Sequence, residues 1–218
     1  SDGDEEWRKY YGTTNEDLGK GIHQLQDGNY IIAGQVSLGS LQYYLTKIDE
    51  NGEQIWEYDY GNNQNQEVND LIVSEGGNFL IIGKYDNRTG TAFFDPDGGM
   101  IWSVWDEDQG VSWGTSILES SDGYFYIAGN QYTQSSDNVD WKINKLNING
   151  TVVDEGAIYE MNDYANNKLQ SIFQTSSGNL ILSGYLGPEP HYQKIHIKKI
   201  SADNYNVFWD YTHYHDAY

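Results

Sequence analysis

Cysteine is absent from all 218 residues, so neither a disulfide framework nor thiol chemistry is available to the chain. That leaves secretion neither required nor forbidden. Basic residues are few: 12 Lys and Arg stand against 33 Asp and Glu, a formal net charge of -21. Such a surface repels phosphate backbones and anionic headgroups, which argues against nucleic acid and membrane insertion and favours cations, basic partners or simple solvation. No apolar run approaches the roughly 20 residues of a membrane span. No stretch sustains a 3.6-residue apolar period either, so helix is expected to be minor. The familiar catalytic signatures are also missing, with no G-x-S-x-G, H-E-x-x-H, phosphate-binding loop or dinucleotide fingerprint. Carboxylates are too numerous for any sequence pair to be informative, and the expectation is that the chain is not an enzyme. It opens SDGDEEW without an initiator methionine, as a processed or an engineered terminus would.

What is present is a repeat. An Ile or Leu is followed after six residues by Gly, and after six more by a second Gly. The four copies are Ile22-Gly28-Gly34, Leu71-Gly77-Gly83, Ile117-Gly123-Gly129 and Ile172-Gly178-Gly184, spaced 49, 46 and 55 residues apart. A fixed period of this size identifies a repeat architecture. Each unit reads as four short strands. The first carries the leading aliphatic residue and ends in a Gly-containing pair such as Asp27-Gly28, read here as a tight primed hairpin turn. The second is the apolar phrase between the glycines, continuous enough to be buried on both faces. The closing Gly allows close backbone packing or a kink. The third strand alternates, as in residues 141–146, and runs into a turn: DENGE at 49–53, DPDGG at 95–99, NINGT at 147–151 and the degenerate SADNY at 201–205. The fourth carries an aromatic anchor at Trp56, Trp102 and Trp209, with Val152-Val153 in unit three. Four such units predict an all-β propeller of four four-stranded blades. The units span approximately 13–61, 62–106, 107–159 and 160–212 of a single domain.

The residues Trp7, Tyr11-Gly12, Asp27 to Gly34, Lys47 to Gly52 and Trp56 to Gly61 form the pattern W-x-x-x-Y-G, D-G-N-Y-I-x-x-G, K-I-D-x-N-G-x-x-x-W. This pattern resembles the propeller-type tandem repeats of exported bacterial surface proteins, over the whole chain. It is also distantly similar to quinoprotein-type repeats, whose enzymes need more blades and cofactor residues not recognisable here. The resemblance implies a secreted, extracellular or cell-surface propeller and implies no activity.

The fourth strand occurs once too often. Trp7 to Gly12 matches Trp56 to Gly61, and residues 209–212 match both, giving five outer strands for four blades. The surplus strand either packs as an extra edge, belongs to a larger or partly truncated ring, or pairs with a neighbouring molecule. Trp7, Tyr10, Tyr11, Trp209 and Tyr211 are the candidate assembly residues, with self or another extracellular protein as partner.

Other candidates are local. Asp49, Asn51, Asp95 and Asp97 sit in turns whose oxygen-rich residues can begin a calcium site, though the same residue types serve the turn itself. No other cofactor is indicated. His213 and His215 lie two apart and could begin a transition-metal site with Asp216 or His191, while His196 and His191 read as hairpin decoration. Asn87-Arg88-Thr89 and Asn149-Gly150-Thr151 are glycosylation sequons. Trp105 and Trp113 flank the acidic stretch 106–110. With Tyr43, Tyr132, Trp141 and Tyr192 they are candidate glycan contacts on the blade rims, or else packing between blades. The leading functional expectation is an extracellular structural, self-assembling or protein-interaction module, a filament or matrix subunit. A lectin and a propeller enzyme are the alternatives.

Overall fold

Residues 4–61, 64–74, 76–106, 110–133, 138–159, 167–187 and 194–213 are described by the computed structural model. Every repeat unit forms one antiparallel four-stranded sheet, its strands adjacent in chain order. Unit one is β1 (Asp17–Gln24), β2 (Tyr30–Ser37), β3 (Leu41–Ile48) and β4 (Gln54–Tyr60). Unit two is β5 (Gln66–Val73), β6 (Phe79–Tyr85), β7 (Arg88–Phe94) and β8 (Met100–Trp105). Unit three is β9 (Ser112–Glu119), β10 (Phe125–Thr133), β11 (Asn138–Leu146) and β12 (Val152–Tyr159). Unit four is β13 (Lys168–Gln174), β14 (Leu180–Leu186), β15 (Lys194–Ile200) and β16 (Val207–Thr212). The chain is an all-β propeller of four blades, and the described residues contain no helix.

The two repeat glycines have different duties. The first closes the inner hairpin, but not as a two-residue primed turn. Leu25 N–H donates to Asn29 O at 2.7 Å and Gly28 N–H to Leu25 O at 3.1 Å, so the loop holds three residues. Only Gly28, at φ 86, adopts the left-handed region there. This is a turn followed by a glycine bulge, the commonest three-residue hairpin. The second glycine faces a bulge in the neighbouring inner strand. Register shifts between Gly19 and Gly21, Val68 and Asp70, and Leu169 and Ser171, and β10 shifts between Ala128 and Gly129 opposite β9. A Cβ added at Gly83 would lie 1.7 Å from the Glu67 carbonyl oxygen. The Gly83→Ala protein is therefore expected to lose about 2–3 kcal/mol in urea denaturation, since the backbone must move to admit the methyl. A loss below about 0.5 kcal/mol would mean the bulge is soft.

Blades pack through three apolar layers. Ile31, Ala33, Tyr43 and Leu45 of unit one meet Val68, Leu71, Phe79, Ile81, Ala92 and Phe94 of unit two. Leu80, Ile82 and Phe93 meet Ile117, Phe125, Ile127 and Leu146 of unit three. Tyr126, Ala128, Trp141 and Ile143 meet Leu169, Ile172, Leu180, Leu182 and Ile200 of unit four. The second strands β6 and β10 thus send alternate side chains into the layer before them and the layer after them, which is why their apolar runs are continuous. Polar groups also tie neighbouring blades together. Asp70 accepts from the Ser116 hydroxyl at 3.1 Å and the Ile117 N–H at 3.0 Å. Asn130 exchanges two hydrogen bonds with the Leu169 backbone. The packing runs from β1 to β5, β9 and β13; among the described residues no comparably extensive contact joins unit four to unit one.

The outer strands β4, β8 and β12 also latch onto the outer turn of the next blade. The Trp102 indole donates to Ile148 O at 2.9 Å, and the Tyr159 hydroxyl to Tyr205 O at 2.8 Å. The Tyr60 hydroxyl donates to Gly98 O. Trp7 and Tyr11 do the same for unit one, the indole donating to Glu50 O at 3.2 Å and the phenol to Gly52 O at 2.8 Å. Residues 7–12, the surplus copy of the outer-strand sequence, therefore occupy the latch of blade one, with Tyr10 exposed. At the other end Trp209 and Tyr211 are exposed.

Candidate functional site in the axial cleft

Where the inner strands converge, a cleft of about 420 Å³ is lined by Glu67, Asn69, Lys84, Trp113, Thr115 and Gln170. The bulges create it. Register passes from Val68 to Asp70, from Gly114 to Ser116 and from Leu169 to Ser171, leaving Asn69, Thr115 and Gln170 as the extra residues. A bulge re-aims the side chain it carries, and here three equivalent bulges deliver three polar side chains to one place. Glu67 lies directly across the ladder from Lys84. Trp113 contributes a half-buried ring, tilted 55° against Tyr132 with centroids 5.7 Å apart. The Asn69 amide donates to Gly114 O at 2.7 Å, which fixes its orientation. Carboxylate, ammonium, amide and hydroxyl groups thus surround one aromatic ring.

Two further clefts flank β8. One, about 450 Å³, lies between units two and three and includes Trp105, Asp106, Lys142 and Asn144. The other, about 430 Å³, lies toward unit one and includes Asp59, Tyr60, Gln66, Tyr85 and Trp105. Trp105 stacks on Tyr85 with centroids 5.1 Å apart and planes 12° from parallel. Asp106 and Lys142 form an ion pair of 2.5 Å whose side chains are 9% and 7% exposed. Burial pushes the Tyr60 phenol up to about 12, so it stays a neutral donor there.

The remaining candidates are distributed as follows. Tyr43 and Trp141 are buried between blades, because their positions on the third strand face the following sheet; they are core, not rim. Trp105, Trp113 and Tyr132 are accessible, but in two places rather than on equivalent rims. Asp49 Oδ1 accepts from Asn51 and Glu53 N–H, both at 2.8 Å, and Asp95 Oδ1 from Asp97 at 3.0 Å and Gly99 at 2.7 Å. These oxygens are engaged by their own turns, on separate blades. Among the described residues no cluster of three or more His, Asp and Glu side chains could hold a metal ion. Tyr192, His191, His215 and Asp216 lie outside the described residues. The sequence did not single out Glu67, Asn69, Lys84 or Gln170. One signal was available: Asn69, Thr115 and Gln170 each precede the leading aliphatic residue of their repeat by two positions.

His196 is not hairpin decoration. It is buried against the Trp141 ring, centroids 5.3 Å apart, with Nδ1 2.8 Å from the Thr212 hydroxyl. Burial, aided by Lys198 and opposed by Asp210, holds its pKa below the ordinary 6.5. The neutral ring is the form the fold accepts. Its contribution is complete above the unfolded value of about 6.5 and is lost as pH falls through the folded value. The melting temperature is expected to drop between pH 7 and 5, with a shallower drop in the His196→Gln protein. Equal slopes would show that other groups govern the acid limb.

No family model and no curated protein sequence matches the chain. Solved structures do. A Dyadobacter fermentans protein of unknown function superposes with a TM-score of 0.68 at 8% identity, over 92% of this chain and 70% of its own. The α-L-arabinofuranosidase Arb93A from Fusarium graminearum gives 0.58 at 11% identity, over 93% and 70%. An endo-1,4-β-xylanase from Bacteroides thetaiotaomicron gives 0.52 at 11%, over 90% and 76%. The likeness is one of fold. It overturns the expectation, drawn from missing catalytic motifs, that this chain is not an enzyme, because glycoside hydrolases share its architecture. The missing motifs are no guide here: glycoside hydrolysis needs carboxylates spaced across a cleft, which linear spacing does not encode.

Proposed function

We propose that the chain binds carbohydrate in the axial cleft. The observation that carries this reading is the composition of the cleft: one accessible indole, Trp113, ringed by Glu67, Asn69, Lys84, Thr115 and Gln170. Apolar sugar faces stack on flat rings, while hydroxyls need paired donors and acceptors at the edge. The Glu67 and Lys84 side chains, both half-buried, present an acceptor and a donor from neighbouring strands. Support also comes from fold neighbours named for their action on arabinofuranosides and xylan. The resemblance to exported bacterial repeats supports an extracellular setting, where polysaccharide is met.

The test is titration calorimetry with soluble arabinan, galactan and xylan. Binding of at least one of them is expected, weakened at least about tenfold in the Trp113→Ala protein, or ~1.4 kcal/mol. Trp105→Ala is expected to leave it unchanged. Undiminished binding after Trp113→Ala, with the fold intact, would refute the axial site. Reducing-sugar release, followed in the parent and in Glu67→Gln, asks whether the bound polymer is also cleaved, since Glu67 brings a carboxylate to the cleft.

A further inference from the structure

The two ends of the four-blade array are apolar in a way that its interior explains. At the leading aliphatic position of the repeat, Leu71, Ile117 and Ile172 are 7%, 4% and 7% exposed, each covered by the preceding blade. Ile22, the same position in unit one, is 63% exposed. The opposite face behaves likewise. Tyr43 and Trp141, opposite Gln35 and Asn130 in the ladder, are 4% and 0% exposed under the following blade. Their equivalent in unit four, Ile195 opposite Tyr185, is 59% exposed, and Phe173, opposite Ile181 on the same face of the sheet, is also open. Both end faces thus carry side chains that the repeat elsewhere buries.

The latches say what would cover them. Trp209 on β16 pairs with Lys199 in the register by which Trp56 pairs with Lys47. Among the described residues it has no outer turn ahead of it, because the turn of unit one is already held by Trp7 and Tyr11. A second copy docking its first blade against β16 would have to expel that segment. Residues 7–12, meanwhile, form no strand; their placement rests on side-chain bonds to the turn of unit one, including Lys9 to Glu53 at 2.7 Å. Their sequence is that of an outer strand with no third strand to pair with. Five outer strands and four inner triplets leave one triplet wanting.

We infer that the array closes around a fifth unit of this repeat, entered from β16 as the others are entered from β4, β8 and β12. That unit supplies three strands. Its fourth is residues 7–12, pairing by main-chain hydrogen bonds with the third strand of the new sheet. Its outer turn receives Trp209, and its two faces cover Ile195 and Phe173 on one side and Ile22 on the other. The Dyadobacter and Fusarium propellers, matched over 70% of their own lengths, have chain to spare for such an element. The inference does not depend on carbohydrate binding.

The experiment compares the 218-residue chain with a version extended after residue 218 by a copy of residues 13–53. Binding of an apolar fluorescent dye, melting temperature, sedimentation and amide exchange are measured on both. The extended protein is expected to remain monomeric, to bind several-fold less dye, to melt at least about 5 °C higher, and to protect the amides of residues 7–12. Removing residues 1–12 from it is expected to abolish the gain. A second extension built from residues 62–99 guards against a poorly folding graft. The inference is overturned if neither extension lowers dye binding or protects residues 7–12. It is equally overturned if the unextended chain forms a discrete dimer in which Ile22 and Ile195 are covered, which would assign the faces to a second copy.

Discussion

Replacing Asp106 with alanine is expected to cost about 3–5 kcal/mol of unfolding free energy, measured in urea at neutral pH. Its partner Lys142, with only 7% of its side chain meeting solvent, would lose the carboxylate that lies 2.5 Å from its ammonium group. The pair bridges two blades: Asp106 N–H donates to Thr89 O in unit two at 2.9 Å, and Lys142 belongs to β11 of unit three. Loss of the carboxylate therefore exposes the layer between them to water or forces Lys142 out through the cleft it lines. The double replacement Asp106→Leu with Lys142→Met is expected to recover most of the loss, because two uncharged chains of similar size need no desolvation. The loss should also persist at high salt, unlike that of an exposed pair. A single-mutant cost below 1 kcal/mol would show that the Asp106 carboxylate does little to hold the two blades together.

Asp106 shows what the repeat pattern reveals and where it stops. The ladder position held by Tyr60 in β4 and Tyr159 in β12 falls on Asp106 after β8. Repeat spacing was enough to place every strand of that comparison, since the Gly-to-Gly interval is set by backbone geometry that no side chain can evade. The closing glycine is required because the adjoining inner strand bulges toward it, a local cause with a local signature. The ion pair has no such signature, since Lys142 is 36 residues away and the two meet only through the crossing of two sheets. The axial cleft was illegible for a related reason. Asn69, Thr115 and Gln170 look like ordinary polar residues of alternating strands until the bulge turns them inward together. Aromatic residues misled most: Trp105, Trp113 and Trp141 are the same residue type, yet they stack on a neighbour, line the axis and fill a core respectively.

Trp141 gives the sharpest separation between a ligand contact and a packing residue. Its side chain is fully buried in the layer joining units three and four, edge-on to His196 at an interplanar angle of 66°. A Cβ added at Gly184 would approach its ring at 2.8 Å, so the closing glycine of unit four also makes room for this indole. Trp141→Ala is expected to cost about 3–5 kcal/mol, a large share of the stability of a domain this size. Trp141→Phe should cost far less, about 1–2 kcal/mol. The phenyl ring keeps most of the packing, and the indole N–H it removes is buried with no hydrogen-bond partner among the described residues. Urea denaturation of the three proteins, paired with the polysaccharide titrations, distinguishes the two roles. A packing residue loses stability in the order Ala then Phe, and the Phe protein binds sugar as the parent does. A rim contact would show the reverse, with stability kept in both replacements and binding lost in the alanine protein.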